Sequence, residues 1–255
     1  MGRITETIKA LIIVNVLFFG FTLLSSDLAY RLFSLYYVEH PNFQYWQPVT
    51  HMFMHGGFMH ILFNMYALWA FGSPLEMRWG RKRFLFFYFS AGLGAALIHT
   101  LVNYYHVHAG FSELLQAGMT ESQIFELMRD AESQGRSLGH YSVNIPEGVD
   151  GDSVGSMISS YMSTAVGASG AVYGVLVAFG MMFPNAELML IFLPIPIKAK
   201  YFIPGLLLLD LFSGVTGFSL FGQNIANWAH IGGALFGFLM AYYWRKDSFN
   251  HTRWD

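Results

Sequence analysis

Cysteine is absent from the 255 residues, which excludes disulfides, thiol nucleophiles and Cys-ligated metals. Charge is scarce as well. Asp, Glu, Lys and Arg make up 12% of the chain, about half of the ~25% usual in a soluble domain. With a net charge of −2 there is no basic surplus of the kind a phosphate backbone requires, so no nucleic-acid partner is expected. Internal repeats and low-complexity tracts are also missing. What fills the chain instead is 54% hydrophobic and 18% aromatic residues, with a mean hydropathy of +0.41. That composition describes a polytopic membrane protein.

A spanning helix needs roughly 20 predominantly apolar residues, about 17 at the least. Six stretches qualify: 8–24, 58–75, 84–104, 167–183, 201–218 and 227–244. Arg3 and Lys9 precede the first apolar run, as in a secretory signal, but no A-x-A-like site follows and five more spans do. The first stretch therefore reads as an uncleaved helix. Lys and Arg asymmetry sets the orientation. With the N-terminus cytoplasmic, all of the 14 basic residues except Arg31, Arg129 and Arg136 fall on that side. Both termini are then cytoplasmic, and the absence of a visible transit peptide favours a bacterial cytoplasmic membrane.

Two outer loops carry information. Residues 25–57 mix polar positions with Phe33, Tyr36, Tyr37, Phe43, Tyr45 and Trp46. Amphipathic aromatics favour the headgroup level, so this loop is expected to lie partly sunk in the interface. The second loop, 105–165, carries eight acidic residues against Arg129 and Arg136. Thr120 and Gln123 resemble a capping box, and Ile124, Leu127, Met128 and Ala131 share one helical face. A short amphipathic helix is expected there, then a flexible stretch around Pro146–Gly155. The whole chain reads as one membrane domain carrying this insertion, which is either a solvated connector or a cap over the substrate's entry.

Three polar constellations interrupt the hydrocarbon: His55-x4-His60-x3-Asn64, Gly167-Ala168-Ser169-Gly170, and Ala229-His230-Ile231-Gly232-Gly233. Such groups are expensive inside a bilayer and are functional candidates there. The orientation puts His60, Ser169 and His230 each near the outer end of its span. Small residues recur every four positions, as Gly170, Gly174 and Ala178 in one span and Ala229, Gly233, Gly237 and Ala241 in another. Small faces allow close backbone approach in membranes, so these two stripes are expected to pack together and bring Ser169 to His230.

A hydroxyl, an imidazole and further donors are the inventory of acyl transfer. Ser169 is the candidate nucleophile and His230 the general base, with Tyr173, one turn below Ser169, holding the imidazole in place. His60, Asn64 and the backbone N–H of Ser169 are the candidate oxyanion donors. Gly167 and Gly170 let backbone and substrate approach closely. Asp210 is the sole carboxylate in the later spans. Its depth reads as wrong for a triad, so a dyad is expected, with Asp210 hydrogen-bonded within the bundle rather than catalytic. His51 and His55 have the spacing of metal ligands, yet no H-E-x-x-H, Asp, Glu or Cys completes a site. They are expected to hold the outer loop and keep the cavity wet, with no metal and no cofactor. His99 reads as a helix–helix hydrogen-bonding group.

The run from His51 to Asn64, the segment G-A-S-G-A-V-Y-G (Gly167 to Gly174) and A-H-I-G-G-A-L-F-G (Ala229 to Gly237) together resemble the rhomboid intramembrane serine proteases. The likeness covers about 8–244. It implies an all-α, rhomboid-like bundle of six transmembrane helices, with Ser169 as nucleophile, His230 as base, and His60 and Asn64 as oxyanion donors. Tyr173 would pack on the base, and Glu76 with Arg78 would form the family's structural E-x-R element. It further implies cleavage of other membrane proteins in or beside their spanning segments, after a small residue, with sideways entry past the fifth helix. Two departures stand out: Trp46-Gln47 replaces the family's Trp-Arg, and the insertion before the fourth helix is long. The function expected is an intramembrane serine endopeptidase whose partners are transmembrane substrates and membrane lipid. The alternatives are an inactive rhomboid-like protein that binds membrane helices and, further off, a channel or transporter. No oligomeric state follows from the sequence.

Overall fold

A computed structural model describes residues 3–138, 142–190, 193–217 and 226–251. In chain order, α1 (Glu6–Leu24), α2 (Ser26–Phe33) and a single turn, α3 (Gln47–Thr50), lead into a 3-10 turn at His51–Phe53. Next, α4 (Phe58–Ala67) continues through a π-helical stretch, Leu68–Gly72, into α5 (Ser73–Trp79). The long α6 (Arg81–Gln116) precedes α7 (Glu121–Leu138), α8 (Gly151–Met162) and α9 (Ser169–Met182). An antiparallel hairpin, β1 (Glu187–Leu190) with β2 (Leu193–Lys198), pairs Glu187 with Lys198 and connects to α10 (Ala199–Thr216) and α11 (Asn227–His251). Among the described residues, α1, α6 and α10 are long and apolar enough to cross a membrane, and α9 is a shorter apolar helix. Residue 218, the end of one expected span, lies outside the described residues.

The chain forms two compact units. The first comprises Met1–Ser34, Tyr45–His99 and Val166–Asp255; the second comprises Leu35–Gln44 and Thr100–Ala165.

In the first unit α1 begins where Glu76 reaches it. The Glu76 carboxylate accepts hydrogen bonds from the Thr5 hydroxyl and, at 3.3 Å each, from the Thr7 and Ile8 N–H groups. An anion there satisfies orphan amides and complements the helix dipole. The last carbonyls of α2 are closed in a similar way by side chains of the following turn. Trp46 Nε1 donates to Leu32 O, Gln47 Nε2 to Arg31 O and the Thr50 hydroxyl to Phe33 O. Fully buried Gln47 thus helps to close the end of α2 with a neutral amide. Phe33 of α2 packs edge-on against Phe18 of α1.

The centre of this unit is a small-residue junction of α6, α9 and α11. A Cβ placed on Gly233 would sit 1.8 Å from the Gly170 carbonyl oxygen, and one on Gly237 would sit 2.5 Å from the Gly174 Cα. On the α6 side, Ala95 and Ala91 come within 2.4 and 2.6 Å of the Cβ positions of Gly170 and Gly174. The two stripes do pack together. Lipid gives helices little hydrophobic reason to associate, so close van der Waals contact and interhelical bonds must hold them. Around the junction Ile8, Leu68, Leu75, Phe84, Phe87, Tyr88 and Val175 are fully buried.

The second unit has a core like that of a soluble protein. Ile124, Leu127, Met128 and Ala131 of α7 pack with Val154, Met157, Ile158 and Tyr161 of α8, and with Val107 and Leu114 of α6. Thr120 and Gln123 close a reciprocal capping box, the Thr120 N–H donating to Gln123 Oε1 at 2.8 Å and the Gln123 N–H to Thr120 Oγ1 at 3.4 Å. His40 is buried, stacked on Tyr36 and 3.3 Å from Glu132 Oε1. Two expectations need correction. The helix starting in the third expected span does not stop near 104 but runs to Gln116, because hydropathy measures apolar length, not helix length. The stretch around Pro146–Gly155 is not flexible throughout: α8 begins at Gly151, with Asp150 capping the Asp152 N–H at 3.0 Å. Its Gly and Ser residues lower helix propensity, and burial of its apolar face outweighs them.

Candidate active site

Ser169 is the first residue of α9, and His230 lies in the first turn of α11. The stripe contacts described above draw these two helix ends together. His230 Nε2 lies 2.9 Å from Ser169 Oγ, a hydrogen bond of ordinary length. On the ring's face, Tyr173 stacks at 4.2 Å between centroids with planes 10° apart. Tyr173 is one turn below Ser169, so a single helix presents both the hydroxyl and the surface that fixes the imidazole plane.

The other ring nitrogen reveals what the sequence reading missed. His230 Nδ1 lies 3.1 Å from Asp210 Oδ1, and both side chains are about nine-tenths buried. The expectation that Asp210 sits at the wrong depth is therefore overturned. Asp210 is six residues from the end of α10 and His230 three from the start of α11. At ~1.5 Å per residue these depths differ by about 4.5 Å, which two side chains span. Gly214, one turn from Asp210, lets the α11 residue Trp228 approach to 3.2 Å from its Cβ position, bringing the two helices close at this end. The signal that pointed to Asp210 was present: a carboxylate amid an apolar helix is costly and demands a partner.

Around Ser169 the preceding loop is built for proximity. Gly167 has φ +126, a conformation that L side chains rarely adopt, and a Cβ there would lie 2.7 Å from His60 Nε2 and 3.4 Å from Ser169 Oγ. Glycine is required on both counts. The Gly167 N–H donates to the His51 carbonyl at 2.9 Å, tying this loop to the 3-10 turn. His60 Nδ1 accepts the Gly56 N–H at 3.3 Å, so a neutral His60 carries its proton on Nε2, the nitrogen beside Gly167. Asn64 is buried and uses one amide N–H on the His60 carbonyl at 2.9 Å, with a second N–H in reserve. Among the described residues Asn64 makes no hydrogen bond to Ser169 or His230. Gly170 faces Ala95 and α11 rather than the hydroxyl.

His51 and His55 lie in the loop ahead of α4. The His51 ring bonds the Gln47 carbonyl at 3.0 Å, holding that loop's first turn. Burial holds its pKa down to about 4. His55 is fully buried, bonds the Phe53 carbonyl at 3.3 Å and meets the His60 ring edge-on at 5.0 Å. Burial first, then the neighbouring His60, push its pKa down to about 3. Both rings are neutral near pH 7 and act as hydrogen-bonding struts.

A hydroxyl bonded to an imidazole, an imidazole flanked by a ring and a carboxylate, and a second histidine beside the hydroxyl together form a layout that could support acyl transfer. Comparison with known proteins gives the family. The Rhomboid domain matches residues 42–135 and 124–247. The chain is 26% identical over 147 residues to Rhomboid protease GlpG of Yersinia pseudotuberculosis, covering 53% of this chain and 48% of that protein. It is 28% identical over 204 residues to the mitochondrial Presenilin-associated rhomboid-like protein A of Danio rerio, covering 78% of this chain and 38% of that one. The chain thus spans about half the length, or less, of these relatives.

Proposed function

The chain belongs to the rhomboid family and is a multi-pass integral membrane protein, and from that premise we propose that it is a serine endopeptidase. Its substrates are other membrane proteins, cut in or next to their transmembrane segments. The observation that carries this reading is the 2.9 Å contact between Ser169 Oγ and His230 Nε2.

Ser169 Oγ attacks the scissile carbonyl while His230 Nε2 takes its proton. The same imidazole returns that proton to the leaving amine, and a water then repeats the sequence, hydrolysing the acyl-enzyme to release the new carboxyl end and restore the Ser169 hydroxyl. Charge developing on the carbonyl oxygen is met by the Ser169 N–H, an orphan donor at the start of α9, by His60 Nε2–H and by the spare N–H of Asn64. The chain is read as spanning the membrane six times, with α4 to α5, α9 and α11 joining the three longer apolar helices. Both termini face the cytoplasm of a bacterial membrane, in keeping with the side that holds all but three of the 14 basic residues.

The test is cleavage of a tagged single-span protein by the purified enzyme in detergent. Ser169→Ala and His230→Ala, each still folded, should both lose cleavage, and activity persisting in Ser169→Ala would reject the reading. Asn64→Ala should slow turnover by up to ~100-fold without abolishing it, since other donors remain.

A further inference from the structure

We infer that Asp210 is a positioning residue for His230, so that the family's serine–histidine pair is extended in this chain to a hydrogen-bonded relay of hydroxyl, imidazole and carboxylate. The inference rests on the protease reading above. Three observations carry it. The Asp210 Oδ1 to His230 Nδ1 distance is 3.1 Å, and the opposite nitrogen of the same ring is 2.9 Å from Ser169 Oγ. Both members of the pair are buried, at 11% and 10% side-chain exposure. Asp210 Oδ2 is also buried and has no hydrogen bond of ordinary geometry, while the Tyr173 phenol approaches the same carboxylate. Tyr173 therefore serves two members of the relay, stacking on the imidazole and facing the acid.

The chemistry follows from which nitrogen holds the proton. An ionised carboxylate can only accept, so it selects the tautomer with hydrogen on Nδ1 and leaves Nε2 with its lone pair toward Ser169. Stacking on Tyr173 fixes the plane of the ring but is indifferent to its tautomer. When Ser169 attacks, the Oγ proton moves to Nε2, and the resulting imidazolium keeps its Nδ1–H bonded to Asp210. The carboxylate takes no proton; it faces the new cation in a medium where such an interaction is weakly screened. The proton on Nε2 then leaves with the amine, which restores the neutral ring. Acylation thus balances with the peptide alone, and the water that hydrolyses the acyl-enzyme is the one further reactant. The same arrangement explains why an acid is tolerated inside α10: its cost in the bilayer is offset by a donor on the neighbouring helix.

Asp210→Asn is nearly isosteric and removes the charge. In the purified full-length protein, kcat on the single-span substrate should fall by at least ~100-fold, as expected when the wrong tautomer is favoured. KM and the thermal melting point in detergent should stay unchanged, and Asp210→Glu should recover part of the rate. In 15N-histidine-labelled wild type, with His230→Ala used for assignment, the neutral His230 ring should carry its proton on Nδ1. Cleavage by Asp210→Asn at the wild-type rate would overturn the inference, and so would a wild-type spectrum with the proton on Nε2. Should the Asn variant not fold, the wild-type tautomer decides the matter alone. Retained cleavage in Ser169→Ala would instead bring down the protease reading. Dead Ser169→Ala and His230→Ala beside a fully active Asp210→Asn would remove the role of Asp210 only.

Discussion

In the unit that holds α9, α10 and α11, polar side chains face one another across helices, as half-buried Ser169 and buried His230 and Asp210 do. There glycine stripes, rather than large side chains, set the distances. In the unit that holds α7 and α8, the interior is Ile124, Met128, Ala131, Met157 and Ile158, with caps such as Thr120 and Asp150 at the helix starts. One unit is organised by the absence of side chains and the other by their bulk. Membrane helices gain little from burying hydrocarbon, so they need backbone proximity to bring reactive groups into register. An amphipathic helix such as α7 can instead rely on an apolar stripe.

Substitutions at these contrasted positions can sharpen or break the contrast. The largest effect is expected for Gly233→Leu, whose Cβ would fall 1.8 Å from a backbone oxygen of α9. No relaxation of a flexible side chain relieves that clash, so the variant should yield no monodisperse, folded protein by size-exclusion chromatography. A folded and active Gly233→Leu would refute the stripe-on-stripe junction. Met128→Ala is next, removing a fully packed side chain from the second unit at a cost of ~2–5 kcal/mol. Hydrogen exchange across 121–162 should accelerate while the chemistry at Ser169 changes by less than about threefold; equal loss at both places would sink the separation of roles. Glu76→Gln should lower stability by ~1–3 kcal/mol, since it weakens charge-assisted bonds to the first turn of α1. An unchanged melting temperature would show that this cap is dispensable.

The effect that is smallest near neutral pH belongs to His51, and it grows as pH falls. His51 titrates near 4 in the folded protein against 6.5 for an unburied histidine. Between those values the unfolded chain binds the extra proton, so stability falls as pH drops from 6.5 and levels off below about 4. His51→Gln should flatten that part of the melting-versus-pH curve, and an identical slope in both proteins would argue against a neutral buried ring.

Much of this was legible in the residues themselves. Ser169, His230 and Tyr173 stood out because polar groups amid hydrocarbon are rare, and the four-residue spacing of glycines named the faces that meet. The capping box at Thr120 pointed to the start of α7 for the same local reason. Asp210 was misjudged because its depth was counted along a single helix, whereas the side chains of two helices share the distance. The start of α8 was missed although Asp150 is a good cap and Val154, Met157, Ile158 and Tyr161 recur at helical spacing; glycine and serine masked the signal. The role of Gln47 was hidden for another reason. Its partner is a carbonyl at the end of α2, and no pattern in the sequence announces a backbone acceptor.

The most direct measurement is labelling with a fluorophosphonate, which needs an activated serine and no knowledge of the natural substrate. Peptide mapping of the labelled wild-type protein should find the phosphonate on Ser169, and folded His230→Ala should take up almost none. Wild-type protein that remains unlabelled, or labelling of Ser169 that persists in His230→Ala, would contradict the pairing of this hydroxyl with this imidazole.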